Sequence, residues 1–240
     1  MILLDKFIKI EEELNITIGS FDAIHKGHLK IINKLNSFEE KSLVLSFFPP
    51  PFIFFKKESN VLFLPEEKKE ILSNYKIDYL LSIPFDEKIK KLEPYEFIEL
   101  LLNYLKIKRI LVGENFKFGK DRKGNVTILK KICKEKEIEL VVVNEEKFDG
   151  EKISSSKIRK LLKDGDIEKV NSLLTYPFFI TLELNNEQVE IDKLKILPKD
   201  GLYIGRVDGR EVKFEIIKRK IVLKNIKKSS ISLEFINKII

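Results

Sequence analysis

Cysteine and histidine are scarce in this chain, and long hydrophobic runs are missing. The single cysteine, Cys133, sits in Lys130-Lys131-Ile132-Cys133-Lys134. One thiol excludes an internal disulfide and a cysteine-based zinc site, so Cys133 reads as a small, half-buried hydrophobe. No run approaches the ~18 apolar residues of a membrane helix. The start, Met1-Ile2-Leu3-Leu4-Asp5, lacks a signal-peptide core. The expected compartment is therefore the cytoplasm. Internal repeats and low-complexity tracts are also missing.

Charge, by contrast, is plentiful. Lys and Arg number 45 against 38 Asp and Glu, a net charge of +7, and charged residues make up 35% of the chain. Such a balance suits phosphorylated ligands or nucleic acid, or simply a solvated, lysine-rich surface. A length of 240 residues fits one or two domains. Area scaling buries about 70–75% of the unfolded surface at this size, enough for a real core.

Through residue 176 the pattern alternates. Short β-rich runs at 16–21, 43–47, 79–83, 109–112 and 139–143 are separated by amphipathic stretches. Residues 29–35 repeat apolar side chains at three- and four-residue spacing. Pro94 suits a first helical turn, and Phe97, Ile98, Leu101, Leu102 and Leu105 form one stripe behind it. A helix is predicted over 154–163, closed by Asp164-Gly165, and Asp166 caps another over 167–174. Strand–helix alternation predicts an α/β fold with a parallel sheet, whose ligands sit beyond the strand carboxyl ends. Beyond Pro177 the pattern changes. Short strands at 202–207, 212–217, 220–223 and 231–236, with turns at Asp208-Gly209 and Lys218-Arg219, predict a small all-β module.

The chain's two histidines share one motif, Gly19-Ser20-Phe21-Asp22-Ala23-Ile24-His25-Lys26-Gly27-His28. It joins a strand to a helix through a glycine turn. A helix N-terminus offers unpaired N–H groups and positive potential, which suits phosphate, and the imidazoles add donors. Asp22, His25 and His28 also allow a metal reading, but no further histidine completes a zinc set. Both histidines in purely structural roles is the remaining alternative.

Three further segments carry chemistry. Ser46-Phe47-Phe48-Pro49-Pro50-Pro51-Phe52-Ile53-Phe54-Phe55 stops a strand with prolines and makes a stiff aromatic loop, able to stack on a flat ring or to pack on the core. Gly113-Glu114-Asn115-Phe116-Lys117-Phe118-Gly119 is a second loop at a strand end, where Asn115 can both donate and accept. Ile153-Ser154-Ser155-Ser156-Lys157-Ile158-Arg159 puts hydroxyls at a helix start with Arg159 one turn on, which reads as an anion site or as plain capping.

Together these four elements, in this order, resemble the adenylyltransferase module of the bacterial bifunctional riboflavin kinase/FAD synthetase family. The likeness runs through Leu173-Leu174, about three-quarters of the chain. It implies a Rossmann-like nucleotidylyltransferase domain at 1–176 that transfers AMP from ATP to FMN, giving FAD and pyrophosphate, with Mg²⁺. By the family pattern, His25 and His28 bind ATP phosphates. Ser154, Ser155, Ser156 and Arg159 bind the triphosphate, with Ser155 and Arg159 counted with the histidines as catalytic. Gly19, Phe21 and Asp22 shape the ATP side; Pro49, Pro51, Phe55, Asn115 and Phe118 belong to the flavin side. No resident metal ligand is implied. Two departures stand out. Pro50 occupies a position where the family usually has histidine, and Ser156 one where it often has threonine.

Residues 177–240 resemble a riboflavin kinase barrel only in fragments. Leu197-Pro198-Lys199-Asp200-Gly201-Leu202-Tyr203 and Ile231-Ser232-Leu233-Glu234-Phe235-Ile236 match, but the glycine-rich turn and Pro-Thr-Ala-Asn signature are missing. The expectation is a truncated barrel without kinase activity. Competing readings are another acceptor for the same transfer, or a flavin-, ATP- or RNA-binding protein. For RNA, the basic stretch 218–228 has no acidic residue but few aromatic neighbours. The expected partners are small-molecule substrates, with neither membrane nor nucleic acid.

Overall fold

The computed structural model describes residues 1–55, 60–144, 147–148, 151–184, 187–224, 226 and 228–239, with the side chains of 147–148 and 151–152 left aside. The contacts divide the chain into two units.

The first unit comprises residues 1–21, 28–59 and 68–146. Its frame is a parallel sheet. The strands are β1 (Ile2–Leu4), β2 (Ile10–Ile18), β3 (Lys41–Phe47), β4 (Tyr79–Ile83) and β5 (Leu105–Gly113), then a short ribbon of β6 (Lys117–Phe118) and β7 (Gly124–Asn125), then β8 (Glu139–Val143). The six sheet strands run in the order β1-β4-β3-β2-β5-β8, and every pairing is parallel. Leu14 to Ile18 of β2 and Ser42 to Ser46 of β3 are buried without alternation, as strands covered on both faces must be. This is the parallel α/β sheet that the sequence pattern predicts.

The helices lying wholly or mostly in this unit are α1 (Lys26–Leu35), α2 (Pro51–Phe54), α3 (Pro65–Ser73), α4 (Glu87–Lys91), α5 (Pro94–Leu102) and α6 (Val126–Glu135), the first residues of α1 and α3 belonging to the second. Pro94 does open α5, whose Phe97, Ile98 and Leu101 are buried. Leu105 is not on that stripe: the helix stops at Leu102, and Leu105 opens β5 opposite Ile10. Its burial comes from sheet pairing rather than from a helix face. In α6, Asn125 caps by accepting from the Ile128 N–H at 3.0 Å, and Leu129, Ile132 and Cys133 are buried. Cys133 is fully rather than half buried, and burial pushes its thiol pKa up to about 11.

The second unit comprises residues 22–27, 60–67 and 147–240. It opens with a ribbon of β9 (Lys147–Phe148) and β10 (Glu151–Lys152), followed by α7 (Ser155–Asp164) and α8 (Ile167–Leu173). Then come β11 (Phe179–Glu183), β12 (Gln188–Glu190), β13 (Gly201–Val207), β14 (Arg210–Ile217), β15 (Lys220–Val222) and β16 (Ser230–Lys238). These last six form one antiparallel sheet, ordered β11-β16-β13-β14-β15-β12. Both predicted hairpin turns are present, with positive φ at each central residue: Asp208 and Gly209, then Lys218 and Arg219. Phe178, Tyr203, Phe214 and Phe235 form its aromatic core. Gly165, at φ +84°, closes α7, and Asp166 accepts from Lys169 N–H at 3.2 Å to start α8. This grouping is one of packing and does not follow the order of the chain. No helix of the described residues is long and apolar enough to cross a membrane.

Candidate functional site

β2 ends at Ile18, so residues 19–21, expected to continue the strand, instead begin the turn that leads to α1. Gly19 is required there: a Cβ would lie 2.9 Å from the Phe21 ring. Phe21 and Ile24 both hold left-handed backbone, at φ 43° and 44°, and both are buried. That conformation is costly for bulky and β-branched residues and persists only where neighbours over-determine it.

The neighbours are visible. Asp22 is fully buried; one carboxylate oxygen accepts from the Leu62 N–H at 3.0 Å and the other pairs with Arg159 Nη1. The Tyr176 hydroxyl donates to the Ala23 carbonyl, and Thr175 Oγ1 donates to the Ile24 carbonyl at 3.1 Å. His25 makes an antiparallel bridge with Leu174. The segment is thus gripped from three stretches of the second unit. His25 is 7% exposed, just before the first turn of α1. His28, half-buried in that turn, packs its ring on Phe21 at 4.9 Å.

Three of the predicted phosphate ligands open α7. Ser154 is its N-cap, accepting from the Lys157 N–H at 3.3 Å. Ser155 is half-buried and Ser156 exposed, at the end where backbone N–H groups point outward. Arg159 is buried; its guanidinium faces Asp22 and reaches Ser156 Oγ at 3.4 Å. Within the second unit the structure therefore brings Asp22, His25, Ser154, Ser155, Ser156 and Arg159 into one hydrogen-bonded assembly and its flanks. Among the described residues, no group of three or more metal-ligating side chains converges.

The flavin-side candidates belong to the first unit. The proline element is not a loop throughout: after a cis Phe48–Pro49 bond, residues 51–54 make the single turn α2, whose N-cap is Pro50. Pro49 is exposed, Pro51 half-buried and Pro50 buried. Phe54, Phe55 and Phe85 cluster edge to face, Phe55 remains 48% exposed, and the Lys90 ammonium lies over both Phe54 and Phe55. Asn115 is exposed, whereas Phe118 is 7% exposed and stacks on Phe116 at 5.2 Å. Phe118 is thus a core residue that supports this loop from below.

Residues 7–157 match the family model described as FAD synthetase. The chain belongs to the FAD synthetase family. A "Bifunctional riboflavin kinase/FMN adenylyltransferase" of Buchnera aphidicola subsp. Schizaphis graminum is 33% identical over 181 residues, which is 72% of this chain and 58% of that protein. A "FAD synthetase" of Listeria monocytogenes is 32% identical over 195 residues, 78% of this chain and 79% of that one. The chain thus matches little more than half the length of the bifunctional relative and most of the shorter one. Among solved structures, one titled as a macrolide-efflux protein from Streptococcus pneumoniae covers 100% of this chain and 91% of its own, with a TM-score of 0.83 at 19% identity. At that identity the likeness is one of fold alone.

Sequence reasoning missed several residues that hold the FAD synthetase motif in place. Lys68 is fully buried in α3; its ammonium donates to the Ser20 carbonyl at 3.0 Å and Ser46 Oγ at 3.1 Å, tying the ends of β2 and β3 together. Thr175 and Tyr176 lie just past the helix predicted over 167–174 and belong to none of the four motifs. Glu67 and Lys195 form a buried ion pair at 2.5 Å. Nothing separates Lys68 from Lys69, or Lys195 from Lys193, in the linear sequence.

Proposed function

We propose that this FAD synthetase family member is an FMN adenylyltransferase. A phosphate oxygen of FMN attacks the α-phosphorus of ATP; the bond from that phosphorus to the bridging oxygen breaks, and pyrophosphate leaves with the electron pair. Such a transfer needs positioning and charge neutralisation, not a protein nucleophile. Mg²⁺ enters as a partner of the triphosphate, since magnesium is usually held by substrate phosphates, water and few protein oxygens.

The observation that carries this reading is the buried Asp22–Arg159 pair, which locks the strained His25 segment and the serine-bearing start of α7 to each other. His25 and His28 donate to phosphate oxygens. Ser154, Ser155 and Ser156, with the α7 N-terminus, take the remaining negative charge; Arg159 fixes Asp22 and lends its charge. Gly19, Phe21 and Asp22 set the backbone path on the ATP side. Phe55, Pro49 and Pro51 offer an apolar face to the flavin ring and Asn115 a polar edge, with Phe118 beneath.

In functional terms residues 1–176 form the adenylyltransferase domain and 177–240 a truncated kinase-like β domain without phosphorylating activity. The working compartment is the cytoplasm. This reading includes no nucleic-acid partner; in its support, two basic residues of the stretch are engaged within the chain, Arg219 with the carbonyls of Asp192 and Lys195 and Lys228 with Asp208, while Lys227 lies outside the described residues. The test is chromatography of products from pure protein with Mg-ATP and either FMN or riboflavin. FAD from FMN and nothing from riboflavin is the expected result. FMN or FAD from riboflavin overturns the kinase assignment, and no product from FMN overturns the acceptor.

A further inference from the structure

The second unit contains a chain of buried polar contacts that starts at Asp22 and ends in the all-β sheet. Asp22 accepts from the N–H of Leu62. The carbonyl of the same residue, Leu62, accepts from the Lys195 ammonium at 2.6 Å. Lys195 also donates to Glu67 at 2.5 Å and to the Phe179 carbonyl at 3.3 Å. The two oxygens of Glu67 accept from Leu64 N–H at 2.8 Å and from Thr181 N–H at 3.1 Å.

Two problems are solved at once by this arrangement. β11 is an edge strand, paired with β16 on one side. Its outward backbone groups at Phe179 and Thr181 need partners, and Lys195 and Glu67 supply them. Residues 60–62 are meanwhile pulled alongside 193–196: Val61 N–H donates to the Leu194 carbonyl at 2.6 Å and Ile196 N–H to the Val61 carbonyl at 2.9 Å. Leu62 is thereby placed to present its N–H to Asp22. Lys195 is 1% and Glu67 2% exposed in their side chains. A buried pair of this kind is a poor source of net stability but a good source of one defined geometry. Burial lowers the lysine pKa, and the charges of Glu67 and Asp22 both oppose that shift. Lys195 thus senses Asp22 electrostatically as well as through the Leu62 peptide.

We infer that Lys195 and Glu67 are positioning residues for the nucleotide-binding assembly, acting through the Leu62 peptide on Asp22 and Arg159. The kinase-like β module then has a task other than phosphorylation: its connection between β12 and β13 supplies the buried cation that fixes the ATP-binding segment. The inference rests on the proposed role of the Asp22–Arg159 assembly in holding ATP.

The test uses the full chain with Lys195→Met, and with the double change Lys195→Met/Glu67→Gln, which removes both charges of this pair. Calorimetry reads the affinity for a non-hydrolysable ATP analogue, and flavin fluorescence reads that for FMN. The expected result is an analogue affinity weakened about tenfold, the scale at which residues along a coupling network act, with FMN affinity unchanged. A purely structural pair lowers the melting temperature without that split. A folded variant with unaltered analogue affinity overturns the inference. Should neither variant fold, amide exchange on the unaltered protein decides. The analogue must slow exchange at Leu62 and at 193–196, and no change there overturns the inference. Neither readout needs product. FAD formation with no split sinks the inference alone, while a split without FAD sinks the acceptor assignment alone.

Discussion

Asp22 and Arg159 are at opposite ends of the sequence motif set, yet both are nearly inaccessible to water, at 0% and 5% side-chain exposure. Removing one partner leaves the other charge buried and uncompensated. Asp22→Ala is therefore expected to lower stability by about 3–5 kcal/mol, read from the midpoint and slope of denaturant unfolding. A loss below about 1 kcal/mol, the scale of an exposed pair, refutes this account of the pair. The histidines answer to a different measurement. His28 is only half-buried, in the first turn of α1. His25→Ala and His28→Ala are each expected to cost about 3 kcal/mol of transition-state stabilisation, a hundredfold or more in kcat. The folded state of His28→Ala should barely change. Loss of affinity for ATP with kcat intact would reassign the imidazoles to ground-state binding. At this scale the sequence exposed the residues of the motif but not what holds them. Position 22 was legible as a candidate because of its neighbours in the motif; its use of Leu62 and Arg159 is a matter of tertiary contact.

The strongly periodic elements were the legible ones. β4, β8 and α5 begin where β-rich runs and Pro94 predict, and the caps at Ser154, Gly165 and Asp166 follow from side-chain chemistry within a few residues. Less legible were α2 and the edge strands β11 and β12. α2 is one turn hidden among prolines, and the edge strands are short and satisfied partly by side chains from elsewhere. Element ends also carry the clearest pH dependence. Glu40, before β3, accepts from Lys108 and Asn15 and faces Arg109 at 2.6 Å. These donors hold its carboxyl at about 2, against an ordinary 4.5. A depressed pKa stabilises the fold only while the group is ionised. The contribution is complete above about pH 4.5 and is lost as pH falls from there towards about 2. Melting temperature should thus fall more steeply over that window in the natural protein than in Glu40→Gln. Parallel curves for the two would show that the Lys108–Glu40–Arg109 cluster contributes nothing to the β2–β3–β5 edge.

At the scale of the molecule, the packing units do not follow the linear order of motifs. Residues 22–27 and 60–67 are distant in sequence from 147–240 but pack with them. A chain cut after residue 176 therefore loses more than a dispensable module. It loses Phe178 and Phe179, which cover the fully buried Phe63 at 5.5 Å each. It loses Lys195, the partner of Glu67, and the Phe235 carbonyl that accepts from Asn171 at 2.8 Å. Exposing one Phe of this kind costs about 1.5–3 kcal/mol, and an unpartnered buried carboxylate about as much or more. Against a total stability of about 5–15 kcal/mol, these losses together are enough to unfold residues 22–27 and 60–67. The fragment 1–176 is expected to aggregate, or to retain helical far-ultraviolet signal without fixed aromatic packing, and to bind no ATP analogue. A monomeric 1–176 fragment with native near-ultraviolet signal and full analogue affinity would show the opposite: that the parallel-sheet motifs carry the nucleotide-binding geometry by themselves, and that the β sheet is a passenger.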